Sequence, residues 1–155
     1  MKADDPMKLL IDGDGCPVVD LAIQVARPYH IQCVLICDTA HIFQRDGVEI
    51  VTVSQGADSV DFKLVNMIRP RDIVVTQDYG LAAMCLARQA IPLDQNGMIF
   101  HDGNIDGLLL ARHTARKIRS SGGRLKGPPK RTSAQDGAFA SALKKLLEEA
   151  AAKER

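Results

Sequence analysis

Met7-Lys8-Leu9-Leu10-Ile11-Asp12-Gly13-Asp14-Gly15 is the stretch that decides the fold. An apolar run this short, stopping at two aspartates that alternate with glycine, reads as a buried strand entering a sharp turn. Pro17 follows, a residue type favoured at the first position of a helix, and Val18, Leu21, Ala22 and Val25 then recur at helical spacing.

Working outward, Ile31 to Cys37 and Val48 to Val53 are short and rich in β-branched residues, and polar residues or glycine bound them, so both predict strands, with a linker around Thr39 to Asp46. Ala57 to Ile68 sets Val60, Leu64, Val65 and Ile68 at helical intervals, and Pro70 stops that helix. Asp72 to Asp78 predicts the next strand, followed by a helix carrying Leu81, Met84, Cys85 and Ala87 and a short strand at Ile91 to Leu93. After a turn at Asn96-Gly97, Asn104 is expected to cap a long helix through Leu108, Leu109, Leu110 and Ile118. Glycine, proline and basic residues from Gly122 to Lys130 predict a mobile basic loop at about 121–134, ahead of a last helix at about 136–152. Strands alternating with helices call for one α/β domain over residues 1–155, in three layers, with a central, mainly parallel sheet flanked by helices.

The longest apolar runs fall far short of the roughly 18 to 20 residues that span a bilayer, so no membrane association is expected. Met1-Lys2-Ala3-Asp4-Asp5-Pro6 places acids and a proline where a signal peptide needs a basic start and an apolar run, which predicts a cytoplasmic protein. The four cysteines, Cys16, Cys33, Cys37 and Cys85, lie in or beside apolar runs and read as small buried hydrophobes rather than a disulfide framework. Cys33 and Cys37 lack the CxxC pairing or histidine partner of a zinc site.

Charge is segregated along the chain. Residues 1–110 hold 8 basic and 15 acidic side chains, whereas residues 111–155 hold 12 basic and 4 acidic. Arg112, Arg116, Lys117, Arg119, Arg124, Lys126, Lys130 and Arg131 follow one another with no acid among them. An acidic site beside a basic surface suits a polyanion delivered to a bound cation. Arg112, Arg116, Arg119, Lys126, Lys130 and Arg131 are therefore the candidate nucleic-acid contacts, although a basic helix face is also a common solvated surface. With no Trp, two Tyr and four Phe, few platforms for base stacking are expected.

In open α/β sheets ligands bind beyond the carboxyl ends of the strands, where Asp12, Asp14 and Asp78 fall. Carboxylates gathered at one edge repel each other unless a cation neutralises them, and hard Mg²⁺ or Mn²⁺ suits oxygen ligands. Asp58 and Asp61, three apart at a helix start, share a face and extend the candidate metal set to Asp12, Asp14, Asp58, Asp61 and Asp78. Each also has a structural reading: Asp78 as the cap of the helix beginning at Tyr79, Asp12 and Asp14 as turn residues, and Asp58 as a helix-start charge. Asp20, Asp38, Asp46, Asp94, Asp102 and Asp106 read as turn or surface residues, and His30, His41, His101 and His113 show no ligand spacing.

Asp12 to Val18, Gly56-Ala57-Asp58 through Asp61, Asp72 to Ala82 with its Thr76-Gln77-Asp78-Tyr79 centre, and Gly122 to Pro129 followed by Asp136 and Phe139 resemble the YaiI/YqxD family of small bacterial proteins, grouped with PIN-like domains. The resemblance runs from Met7 to about Leu147. The family pattern carries alanine where this chain has Gly13 and Gly15, and proline where it has Gly80. It implies a three-layer PIN-like domain and a Mg²⁺- or Mn²⁺-dependent nuclease, acting on RNA rather than DNA, with Asp12, Asp14, Asp61 and Asp78 as catalytic acids. Two other functions fit the residues. A phosphatase of haloacid-dehalogenase type would use Asp12 as nucleophile, Asp14 as acid/base and Thr76 as phosphate-binding hydroxyl. A non-catalytic nucleic-acid-binding module would keep the metal site, and a homo-oligomer is compatible with any of the three.

Overall fold

The computed structural model describes residues 6–14, 16–39, 44–56, 59–120, 122 and 130–153. The first strand, β1 (Lys8–Asp12), leads to α1 (Val19–Ala26) and a 3₁₀ turn at Arg27–Tyr29. There follow β2 (Gln32–Asp38), β3 (Val48–Val53), α2 (Ser59–Met67), β4 (Ile73–Val75), α3 (Tyr79–Ala87), β5 (Ile91–Leu93), α4 (Asp102–Ser120) and α5 (Ser133–Lys153). The sheet runs β3-β2-β1-β4-β5, and every pairing between these strands is parallel.

Side-chain alternation along the central strands feeds two separate apolar layers. Leu9, Ile11, Leu35, Ile73 and Val75 pack with Val19, Ala22, Ile23 and Ala26 of α1 and with Phe139, Leu143 and Leu147 of α5. Leu10, Val34, Ile36 and Val74 pack with Val60 and Leu64 of α2 and Leu81 and Cys85 of α3. Helices therefore cover both faces, which gives the three layers expected and explains why Cys33 to Cys37 is buried without a break. The fourth helix, α4, lies against α3 through Ala82, Phe100 and Ile105, where Tyr79 and Phe100 meet edge to face at 5.7 Å. The edges are handled locally: β3 exposes Glu49 and Thr52, and β5 contains Pro92.

Several sequence expectations shift at this level. The first helix starts at Val19 rather than Pro17, and its most buried face is Val19, Ala22, Ile23 and Ala26, leaving Leu21 and Val25 at the margin. The long helix α4 is capped by His101, not Asn104: the His101 Nδ1 accepts from the Gly103 amide at 3.0 Å, while Asn104 Oδ1 accepts from the His101 amide at 2.9 Å. The last helix begins three residues before the expected Asp136, because Thr132 and Gln135 form a reciprocal capping box, with Thr132 N donating to Gln135 Oε1 and Gln135 N to Thr132 Oγ1. The basic loop expected over 121–134 thus ends by Thr132, and its residues 121 and 123–129 lie outside the described ones. Among the described residues no helix is long and apolar enough to cross a membrane.

The edge of the sheet away from the strands' carboxyl ends is tied by Asp72, which is 1% exposed. It accepts from the Lys8 amide at 3.0 Å, the Lys8 ammonium at 2.6 Å and the Arg69 amide at 3.0 Å, joining β1 to the start of β4. Asp72→Ala should strand a part-buried ammonium and two amides and lower unfolding free energy by about 3 kcal/mol, read from urea denaturation, whereas a Lys8→Ala, Asp72→Ala double variant should lose less than the sum of the singles.

Candidate functional site

The order of the strands creates the site. From β1 the chain passes outward to β2 and β3 through α1 on one face, then returns through α2 on the other face to place β4 on the free side of β1. The crossovers diverge here, so a crevice opens beyond the carboxyl ends of β1 and β4. Ile11 pairs with Val75, which brings the next residues, Asp12 and Thr76, side by side.

Asp12 is 6% exposed and closes β1. Its Oδ2 accepts from the Thr76 hydroxyl at 2.9 Å, and its Oδ1 accepts from the Asp14 amide at 3.3 Å. Thr76, 1% exposed, in turn accepts from the Asp78 amide at 3.0 Å. The turn after β1 brings Gly13 close against β2: its amide donates to the Ile36 carbonyl at 2.8 Å, and a Cβ here would stand 2.8 Å from that oxygen, so an alanine would need a small backbone shift.

Asp78 is the N-cap of α3, so its structural reading holds: Oδ1 accepts from the Gly80 amide at 2.8 Å and the Leu81 amide at 3.2 Å. The same oxygen meets Arg112 Nη1 of α4 at 3.3 Å. Asp14 and Asp61 face the cleft from the turn and from the first turn of α2, and Asp38 joins them from the end of β2. The resulting cleft of about 380 Å³ is lined by Asp12, Asp14, Asp38, Asp61, Asp78 and Arg112, with Ser59, Gln77 and Tyr79 between them.

Environment drives two of these acids apart. Burial pushes the Asp12 carboxyl from its ordinary 3.8 up to about 6, against the opposing pull of the Thr76 hydroxyl and the Asp14 amide, and the Asp14 and Asp78 charges add to the rise. Burial also raises Asp78, but its hydrogen bond with Asp61, the Leu81 and Gly80 amides and the Arg112 guanidinium outweigh that and hold it below the ordinary value.

Among the described residues five carboxylates and no histidine or cysteine line the cleft, an all-oxygen donor set that suits Mg²⁺ or Mn²⁺. Among the described residues no three acidic, imidazole or thiol groups already close on one point, and Arg112 leans on Asp78 at 3.3 Å. The thiols stay outside this chemistry: all four are free, and burial raises Cys16 to about 11 and Cys85 to about 12.

Of the expected site residues, Asp12, Asp14, Asp61 and Asp78 share the one cleft, while Asp58 lies outside the described residues. Asp38, expected at a turn or surface, belongs to the cleft lining; its position immediately after an apolar strand that neighbours β1 was the available signal. Asp94 also follows a strand at this edge, but its Oδ1 is spent on the Asn96 and Met98 amides of the turn after β5. Gly97 makes that turn at φ +85°, where a side chain would strike the Ala138 carbonyl of α5.

Among the expected phosphate contacts, Arg112 reaches the cleft and Arg116 and Lys130 are exposed. Lys126 and the Arg119 side chain lie outside the described residues. Arg131 is a correction: its guanidinium donates to Asp136 Oδ1 at 2.7 Å, Asn96 Oδ1 at 2.7 Å and the Gln95 carbonyl, bolting α5 to the turn after β5. It is a structural cation rather than a phosphate contact.

The raised Asp12 carboxyl sets a pH signature for metal-free protein. Its native pKa of about 6 exceeds its unfolded 3.8, so between those values the native state binds more protons, and stability falls as pH rises through this window. Asp12→Asn should remove that fall and leave the variant more stable than wild type at pH 7 by about 3 kcal/mol, measured by urea unfolding from pH 4 to 7.5 in chelator.

The family model described as "Uncharacterized BCR, YaiI/YqxD family" matches residues 10–149. A UPF0178 protein of Exiguobacterium sibiricum is 54% identical over 143 residues, covering 92% of this chain and 98% of that one. Another, from Natranaerobius thermophilus, is 47% identical over 141 residues, with 91% and 96% covered. Among solved structures, Rae1 (YacP) from Bacillus subtilis matches 95% of this chain and 99% of its own at a TM-score of 0.43 and 13% identity, a likeness too slight to bear on activity. Sequence matches of this extent establish that the chain belongs to the YaiI/YqxD family.

Proposed function

We propose that this protein is a Mg²⁺- or Mn²⁺-dependent nuclease that hydrolyses phosphodiester bonds, of RNA in preference to DNA. The observation that carries the reading is the convergence of Asp12, Asp14, Asp38, Asp61 and Asp78 on one cleft that Arg112 also lines. Asp12, Asp14, Asp61 and Asp78 would hold the ion, and the chemistry it supplies when bound is a lowered pKa for water and neutralisation of phosphate charge. The Thr76 hydroxyl fixes one Asp12 oxygen and leaves the carboxyl little freedom to turn. The amides of Gly80 and Leu81 do the same for Asp78. Arg112 stands beside Asp78 as the first cation that an incoming phosphate meets, with Arg116 one helical turn further along α4.

Thr76 weighs against the haloacid-dehalogenase reading. That chemistry needs its hydroxyl facing phosphate, whereas Thr76 is 1% exposed and committed to Asp12 and the Asp78 amide. The binding-module reading draws on the Arg112–Asp78 ion pair at 3.3 Å, which holds a carboxylate on a protein cation.

Purified protein with Mn²⁺ or Mg²⁺ should cut labelled single-stranded or structured RNA, and chelator should stop it. Asp12→Asn and Asp78→Asn should each reduce the rate by at least about 100-fold, and Asp78→Asn should still fold because asparagine also caps helices. Cleavage that survives both substitutions would refute the site, and binding of RNA with no cleavage under either metal would replace the nuclease by a binding module.

A further inference from the structure

The acid cleft continues into a second groove, of about 520 Å³, between α2, α3 and α4. Asp61, Asp78 and Arg112 line both. Beyond that junction the character of the wall changes to Phe62, Met84, Arg88 and Arg116. Phe62 is 74% exposed and Met84 44%, the large hydrophobic side chains that α2 and α3 leave open to solvent among the described residues. The other phenylalanines of the described residues, Phe100 and Phe139, are almost completely buried. Composition suggested few stacking platforms; the structure leaves one of its few aromatic rings open, beside the acids.

We propose that this groove holds a nucleobase of a single-stranded nucleic acid, stacked on Phe62 against Met84, with the flanking phosphates on Arg112 and Arg116. The inference rests on the nuclease reading and deepens it by naming the substrate as unpaired strand. The charge pattern selects the occupant. Three guanidinium groups border an apolar floor, and the groove's acids, Asp61 and Asp78, lie where it opens into the cleft. Among the described residues neither Arg88 nor Arg116 has a side-chain hydrogen bond or ion pair, so both are available to phosphate. A π-face flanked by arginines is the arrangement that binds bases without reading them. A duplex keeps its bases paired and stacked and can offer one to Phe62 only at the cost of unpairing it, which an unpaired strand does not meet. A strand seated here would pass from Arg116 to Arg112 and deliver its next phosphate to the acids.

The chain contains no tryptophan, so Phe62→Trp installs a single reporter at the proposed contact. In chelator, to prevent cleavage, a short single-stranded RNA should quench its emission, while inorganic polyphosphate and the same oligonucleotide in duplex form should not. Anisotropy of labelled RNA should show Phe62→Ala binding about tenfold more weakly. Arg116→Ala should lower the slope of log affinity against log salt by about 0.7. Binding seen by anisotropy with tryptophan emission unchanged would overturn the proposal, as would equal quenching by polyphosphate or unaltered affinity of Phe62→Ala. Self-association that Phe62→Ala abolishes, with no RNA bound, would also overturn it and assign the groove to a second copy. Cleavage is read separately: quenching without metal-dependent cleavage keeps the groove and rejects the nuclease, and cleavage without quenching does the reverse.

Discussion

Thr76 stands between Asp12 and Asp78, donating its hydroxyl to the first at 2.9 Å and accepting the amide of the second at 3.0 Å. Both acids belong to different strand ends, 66 residues apart in the chain, and one buried hydroxyl fixes their separation. It can do so because β4 pairs with β1 in a register that sets Asp12 beside Thr76. The arrangement on both faces follows: α1 covers one side of β1, α2 returns across the other, and the gap between them becomes the cleft.

Gathering carboxylates in this gap is electrostatically unfavourable, and the fold offsets the cost group by group. Asp78 is stabilised as an anion by the start of α3 and by Arg112. Asp12 is buried beside the charges of Asp14 and Asp78, and burial above all biases its carboxyl toward the neutral form. A site that holds one acid charged and another half-protonated near pH 6 is poised to exchange protons for an added cation. The far edge of the sheet shows the contrasting solution, where Asp72 is as buried but is matched by Lys8 and two amides, and so serves stability alone.

Much of this could be anticipated. The apolar runs of β1, β2 and β4 and the aspartates that end them give strand and turn by local rules, because a buried parallel strand must be apolar throughout and must stop where polarity begins. Local rules also govern the caps. His101 carries little sequence signal because imidazole is an uncommon cap, whereas Thr132-Ser133-Ala134-Gln135 has capping-box spacing within an otherwise basic stretch. Arg131 shows the opposite limit: it closes a run of cations in sequence, but its neighbours in space are Asp136, Asn96 and a carbonyl.

Sequence alone determined the family, the three-layer α/β architecture and the set of acids at strand ends, since each depends on residue type and short-range spacing. Tertiary structure decided which acids share a cleft. Asp38 joins because β2 pairs with β1, and Asp94 does not because its turn consumes it. It alone paired Arg112 with Asp78 across 34 residues, and it left Phe62 exposed beside that pair. The reason is physical: a side chain's charge and polarity are local properties, but its solvent exposure and its partners are set by the packing of elements distant in sequence.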